Sequence, residues 1–78
     1  MENYDISAVF TERLNEAIKA CCTYNAALAN RVGCSKCAVA GWRRGQNMPD
    51  GYNVARLALA LGVSADWLLG LTDTNEEE

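Results

Sequence analysis

The sequence predicts an all-α fold, a compact unit of five short helices. Three observations carry that reading. Apolar residues recur at spacings of three and four, and no run alternates as a half-buried strand would. Residues suited to helix starts stand before these runs, and glycines stand after three of them. The chain has 78 residues, half of them apolar. That is enough for one thin core, because a domain of this size buries only about 60% of the surface its unfolded chain exposes.

The first helix carries Val9, Phe10, Leu14, Ala17, Ile18 and Cys21 on one apolar face, with Asp5 or Ser7 as its cap. A second is expected from about Asn25 to Val32, with Leu28, Ala29 and Val32 inward, opened by Thr23 or by Tyr24-Asn25. Gly33 stops it. Ser35 caps a third, Lys36 to about Arg44, with Val39 and Trp42 inward and Gly45 at its end. Met48-Pro49 cannot continue a helix. Asp50 then caps a fourth, with Val54, Leu57, Ala58 and Leu61 inward and Gly62 after it. Ser64 caps a last short helix holding Trp67 and Leu68 and reaching toward Leu71. One domain is expected over 1–71. Residues 72–78, polar and acidic, read as a frayed tail or the start of a linker.

Charge is unevenly placed along this frame. The formal net charge is −3, which alone argues against an anionic partner. Residues 1–16 carry −3 and residues 50–78 carry −5, yet residues 17–49 hold no acid and five cations: Lys19, Arg31, Lys36, Arg43 and Arg44. A basic centre between acidic ends points to an anionic partner for the centre.

Several function classes recede. There is no histidine, which removes the commonest general base and metal ligand. Neither paired carboxylates in a cleft nor a phosphate-binding glycine loop is recognisable, so no enzyme is expected. The start of the chain has no apolar stretch of the kind that directs secretion, and no run approaches the ~20 apolar residues of a membrane span. A cytoplasmic location is expected. Cys34 and Cys37 have the spacing of metal ligands, but the adjacent Cys21 and Cys22 would point about 100° apart on a helix, a poor second pair. Reduced thiols and no cofactor are expected.

The informative stretch is Leu28-Ala29-x3-Gly33-Cys34-Ser35-x3-Val39-x2-Trp42-x2-Gly45. Two short helices joined by a tight glycine turn make a helix-turn-helix. Ala29 is small where the third helix crosses, Cys34 plugs the angle, and Val39 and Trp42 hold the third helix to the core. Its other face is then free to enter a DNA major groove.

Arg13-Leu14, Leu28-Ala29, Gly33-x-Ser35, Val39, Trp42-x-Arg44-Gly45 and Pro49 resemble the XRE-type, lambda-repressor-like helix-turn-helix family. The stretch Leu57-Ala58-x2-Leu61-Gly62-Val63-Ser64-x2-Trp67-Leu68-Leu69 is similar to the closing helices of phage repressor N-terminal domains. The resemblance runs without a gap from about Phe10 to Gly70. It implies a transcriptional regulator that binds an operator in double-stranded DNA, as a repressor or its DNA-binding domain. It also implies roles by position. Lys36, Cys37 and Gly41 match groove-facing positions. Asn25, at the start of the second helix, matches a phosphate contact, as do Arg44, Gln46 and Asn47 at the end of the recognition helix and in the loop after it. Arg43 departs from the acidic residue often found there and should add phosphate attraction. Tyr24 replaces the usual serine or threonine cap.

On its outward side the recognition helix offers Lys36, then Cys37, Ala38, Ala40 and Gly41. Only Lys36 hydrogen-bonds a base edge strongly, best at guanine. Readout per half-site is therefore sparse, and DNA shape and pairing of two copies should supply the rest. Leu69 and Leu71 are the expected contacts of a homodimer, with Trp67 in the core. The competing expectation is a protein-interaction module, such as an antitoxin, whose acidic ends bind a basic partner.

Overall fold

A computed structural model describes residues 5–73. The described residues form five helices and no strand: α1 Ile6–Ala20, α2 Asn25–Val32, α3 Lys36–Arg44, α4 Gly51–Leu61 and α5 Ala65–Leu68. Side-chain caps open four of them. Asp5 accepts from the Ala8 N–H at 3.2 Å, Ser35 from Ala38 at 3.1 Å, Asp50 from Asn53 at 2.9 Å and Ser64 from Trp67 at 3.2 Å. Each pairs a backbone donor that a helix start would otherwise leave open. The exception is α2: Tyr24 holds the cap position with extended backbone and makes no side-chain bond to the helix.

The Asp5 carboxyl lies below its usual carboxylate range, because the Ser7 hydroxyl and then the Ala8 N–H donate to its charged form. A depressed folded value means the contribution to stability is present above the unfolded value and is lost as pH falls through the folded one. The first turn of α1 should therefore loosen as pH drops from about 4 downward. Asp5→Asn still caps but carries no charge, so amide exchange at Ala8 should lose that pH dependence. An identical acid response in the variant would remove Asp5 as its source.

The core is one cluster drawn from every helix. Phe10, Leu14, Ile18, Leu28, Val32, Val39, Leu57 and Leu68 are its largest wholly buried side chains. α2 packs on α3 and α4, α1 on α3 and α5, and α4 on α5. This leaves the outer side of α3 uncovered by any other helix.

The turn between α2 and α3 needs a left-handed residue, and Gly33 supplies it at φ 90°. The Gly33 and Cys34 amides both donate to the Ala29 carbonyl, at 2.8 and 3.0 Å. Cys34 is half-buried against the core, and burial raises its thiol pKa.

Three expectations change. Cys21 is exposed, because α1 ends at Ala20 and leaves Cys21 as its cap, its thiol donating to the Leu61 carbonyl at 3.4 Å. Leu71 lies beyond the last helix, 65% exposed, whereas Leu69 packs half-buried against the core. Thr72 and Asp73, expected to fray, are held by Arg13. Its Nη1 donates to the carbonyls of Trp67 and Thr72, each at 2.7 Å, and Nη2 lies 3.7 Å from the Asp73 carboxylate. The guanidinium also sits 5.2 Å from the centre of the Trp67 ring. Residues 74–78 of the expected tail lie outside the described residues.

Candidate nucleic-acid interface

The second helix of the motif is placed from inside. Val39 and Trp42 are buried, one helical turn apart, and fix which side of α3 faces out. Lys36 and Cys37, in the first turn, are exposed, Ala40 is half-buried, and Arg44 is exposed at the far end. Between this side and the start of α2 runs an open trough of about 550 Å³. Lys36, Cys37, Ala40 and Arg43 form one flank, and Tyr24, Asn25 and Ala26 the other. Among the described residues Lys36, Arg43 and Arg44 have no acidic partner; the one ion pair there is Arg13 with Asp73. The trough is therefore positive and shaped to lie against an extended anion.

Arg43 points partly inward. Its Nε donates to Asn15 Oδ1 at 2.5 Å and its Nη1 to Asn25 Oδ1 at 2.7 Å. The Asn15 Nδ2 in turn donates to the carbonyls of Thr11 and Arg43, both at 3.0 Å. One guanidinium thus ties α1, α2 and α3 together beside the trough. Asn25 and Arg43, both expected on phosphate, also bond each other through the Asn25 carbonyl oxygen and the Arg43 Nη1. Sequence reasoning gave Asn15 no part. The usable signal was its spacing: a carboxamide four residues after Thr11 and one helical position from the apolar stripe, opposite an arginine where the family often has an acid.

Gly41 also differs from expectation. It is buried, not open to a groove. The Gln46 amide donates to its carbonyl at 3.0 Å, folding the loop back over α3. A Cβ at residue 41 would stand 3.3 Å from Asn47 Oδ1 and 3.7 Å from Gln46 Oε1. Gln46 Oε1 also accepts from Arg44 Nη2 at 3.2 Å. The Gln46-Asn47 loop and the end of α3 therefore form one polar surface.

On the opposite side, Arg56 closes the end of α2. Its Nε donates to the Val32 carbonyl at 2.6 Å and its guanidinium lies 5.4 Å from the Tyr52 ring centre. The four thiols are free, and no group of three or more His, Cys, Asp or Glu among the described residues is placed to hold a metal ion.

A helix-turn-helix family model matches residues 23–68, from the start of the motif through α5. No curated protein matches the chain. Two solved structures are similar, both of the P22 c2 repressor, a phage repressor. One is its crystal structure in complex with a synthetic operator, 37% identical, with a TM-score of 0.74, covering 77% of this chain and 91% of that one. The other is the solution structure of its DNA-binding domain, also 37% identical with a TM-score of 0.74, covering 85% of this chain and 90% of that one. With most of the chain matched on both measures and the buried and turn positions of the motif all occupied as it requires, the chain belongs to the helix-turn-helix family, in its XRE-type, lambda-repressor-like branch.

Proposed function

We propose that this protein binds an operator in double-stranded DNA through the outer side of α3 and regulates transcription as a phage-type repressor. The observation that carries the reading is a coincidence of two independent features. The acid-free stretch of residues 17–49 is the stretch that folds into the motif, and its cations Lys36, Arg43 and Arg44 line or flank the trough. Support comes from the 37% identity to a repressor seen with operator DNA.

Roles divide along the surface. Lys36 and Cys37 face the base edges. Arg44 and Gln46 take phosphate at the far end of α3. The uncapped start of α2 leaves backbone N–H groups open, and these suit a phosphate oxygen. Arg43 and Asn25 add their remaining donors to the backbone contact while holding the helices in register. Two copies bind two half-sites about 34 Å apart, one helical turn. Leu71 is the better candidate for contact between copies, since Leu69 is partly used by the core. Among the described residues no helix is long and apolar enough to cross a membrane, and a repressor of this kind acts in the cytoplasm, where its operator is.

Selection of bound duplexes from a random pool, followed by a salt series on the selected site, tests the proposal. A palindromic preference and a steep loss of affinity with salt are expected. Binding that is absent, or indifferent to salt, would sink it. Arg44→Ala should weaken binding to every duplex alike and reduce the salt slope by about one unit, the signature of one lost phosphate contact. An unchanged slope would take Arg44 out of the contact set.

A further inference from the structure

We infer that Asn15, on α1, is a positioning residue for DNA binding. It holds the Arg43 guanidinium at the start of α2 without cancelling its charge, so that Arg43 and the Asn25 amide meet a phosphate already in place. The inference rests on the proposed DNA reading and adds to it a residue that touches no DNA.

Asn15 grips Arg43 at two points. Its Oδ1 accepts from Arg43 Nε at 2.5 Å, and its Nδ2 donates to the Arg43 carbonyl at 3.0 Å. The same Nδ2 donates to the Thr11 carbonyl at 3.0 Å. Two carbonyls take the nitrogen side of the carboxamide, so its oxygen is the atom left for the guanidinium. The bonding then passes across to α2. Arg43 Nη1 donates to Asn25 Oδ1 at 2.7 Å, which turns Asn25 Nδ2 away from the arginine. Among the described residues Arg43 Nη2 and Asn25 Nδ2 have no partner. Both residues line a hollow of about 260 Å³ that also takes in Asn15, Ala40 and Arg44. α2 starts there, with no side-chain cap. Arg43 Nη2, Asn25 Nδ2 and the first N–H groups of α2 are all donors, and together they suit one phosphate.

The neutrality of residue 15 is what makes this arrangement useful. An aspartate would also hold the guanidinium, but as an ion pair that answers the charge a phosphate needs. A carboxamide fixes the same N–H and leaves the positive charge uncompensated. Arg43 has no acidic partner among the described residues. It stands where the family often has an acid, so bracing by a neutral residue of α1 belongs to this chain and not to the family pattern. A long side chain already fixed in the free protein also loses less freedom on binding.

The experiment measures affinity for the selected duplex over a salt series, at a temperature where every variant keeps the helical signal of the unaltered protein. Asn15→Ala releases Arg43 without altering its charge. Affinity should fall about 2- to 10-fold for all duplexes, with base preferences and salt slope unchanged. Asn15→Asp keeps an acceptor but adds a charge, and the salt slope should fall by about one unit, as if the Arg43 contact were lost. The decisive arm is the double variant. In an Arg43→Ala background, Asn15→Ala should change affinity by less than about twofold, because it acts only through Arg43. An undiminished loss in that background would make Asn15 a merely structural residue and overturn the inference, as would single variants that bind like the unaltered protein. Unaltered protein that binds no duplex fails earlier, at the DNA reading itself, so the two failures are distinct.

Discussion

Phe10→Ala should cost about 3–5 kcal/mol of folding stability. Phe10 is wholly buried in α1, within the cluster to which all five helices contribute. Truncation removes the ring from an interior packed as densely as a crystal, and the cavity collapses only in part. A chain of 78 residues has a total stability of about 4–12 kcal/mol at 0.05–0.15 kcal/mol per residue. A loss of this size is thus a large fraction of the whole. Phe10→Leu keeps most of the apolar bulk, leaves a smaller cavity and should cost clearly less than the alanine. Urea midpoints followed by the helical signal, with unchanged slopes, measure both. A Phe10→Ala protein within about 1 kcal/mol of wild type would mean that α1 is not held by this packing. The effect extends to the proposed interface, because α1 carries the Asn15 that holds Arg43.

What the sequence made legible follows physical range. Ser35, Asp50 and Ser64 act within three residues of themselves, so their caps could be read from residue type and spacing. Gly33 and Gly45 end their helices in left-handed backbone for the same local reason. Apolar positions were legible because a period of 3.6 selects a face. Cys21 marks the limit of that rule: the period continues past the residue where the helix stops, and the last apolar position falls in solvent.

The polar connections were not legible, because they depend on angles between helices. Asn15 and Arg43 are 28 residues apart, and Arg13 reaches Trp67 and Thr72 across more than 50. Nothing in local spacing says that Arg43 will turn toward Asn15 of α1. Gly41 is covered from nearby, by residues five and six positions later. Its helical position faces outward, but the backbone bond from Gln46 brings the next loop over it. The same arginine-rich end of α3 therefore does two jobs, one guanidinium bracing the motif and the next left on the surface.

Lys36→Ala should separate stability from recognition, raising the first slightly while lowering the second. Lys36 is the first residue of α3, directly after the Ser35 cap, and the first turn of the helix holds no acid. A cation at a helix start opposes the helix dipole, so its removal should stabilise the fold by up to about 0.3–1 kcal/mol. On the proposed reading the same ammonium reaches a guanine edge, and losing it should cost about 1–3 kcal/mol of discrimination at one or two base positions per half-site. Lys36→Arg keeps a donor pair for guanine O6 and N7 and should preserve the preference. Cys37→Ser should matter less, and only where a thymine methyl was in contact. The measurements are a thermal melt and the set of relative affinities for single-base changes. Suppose Lys36→Ala lowered every affinity equally, with the salt slope falling by about one unit and the base preferences intact. Lys36 would then be a phosphate contact only. Readout would pass to DNA shape and to the Gln46-Asn47 loop, and α3 would serve chiefly to position that loop in the groove.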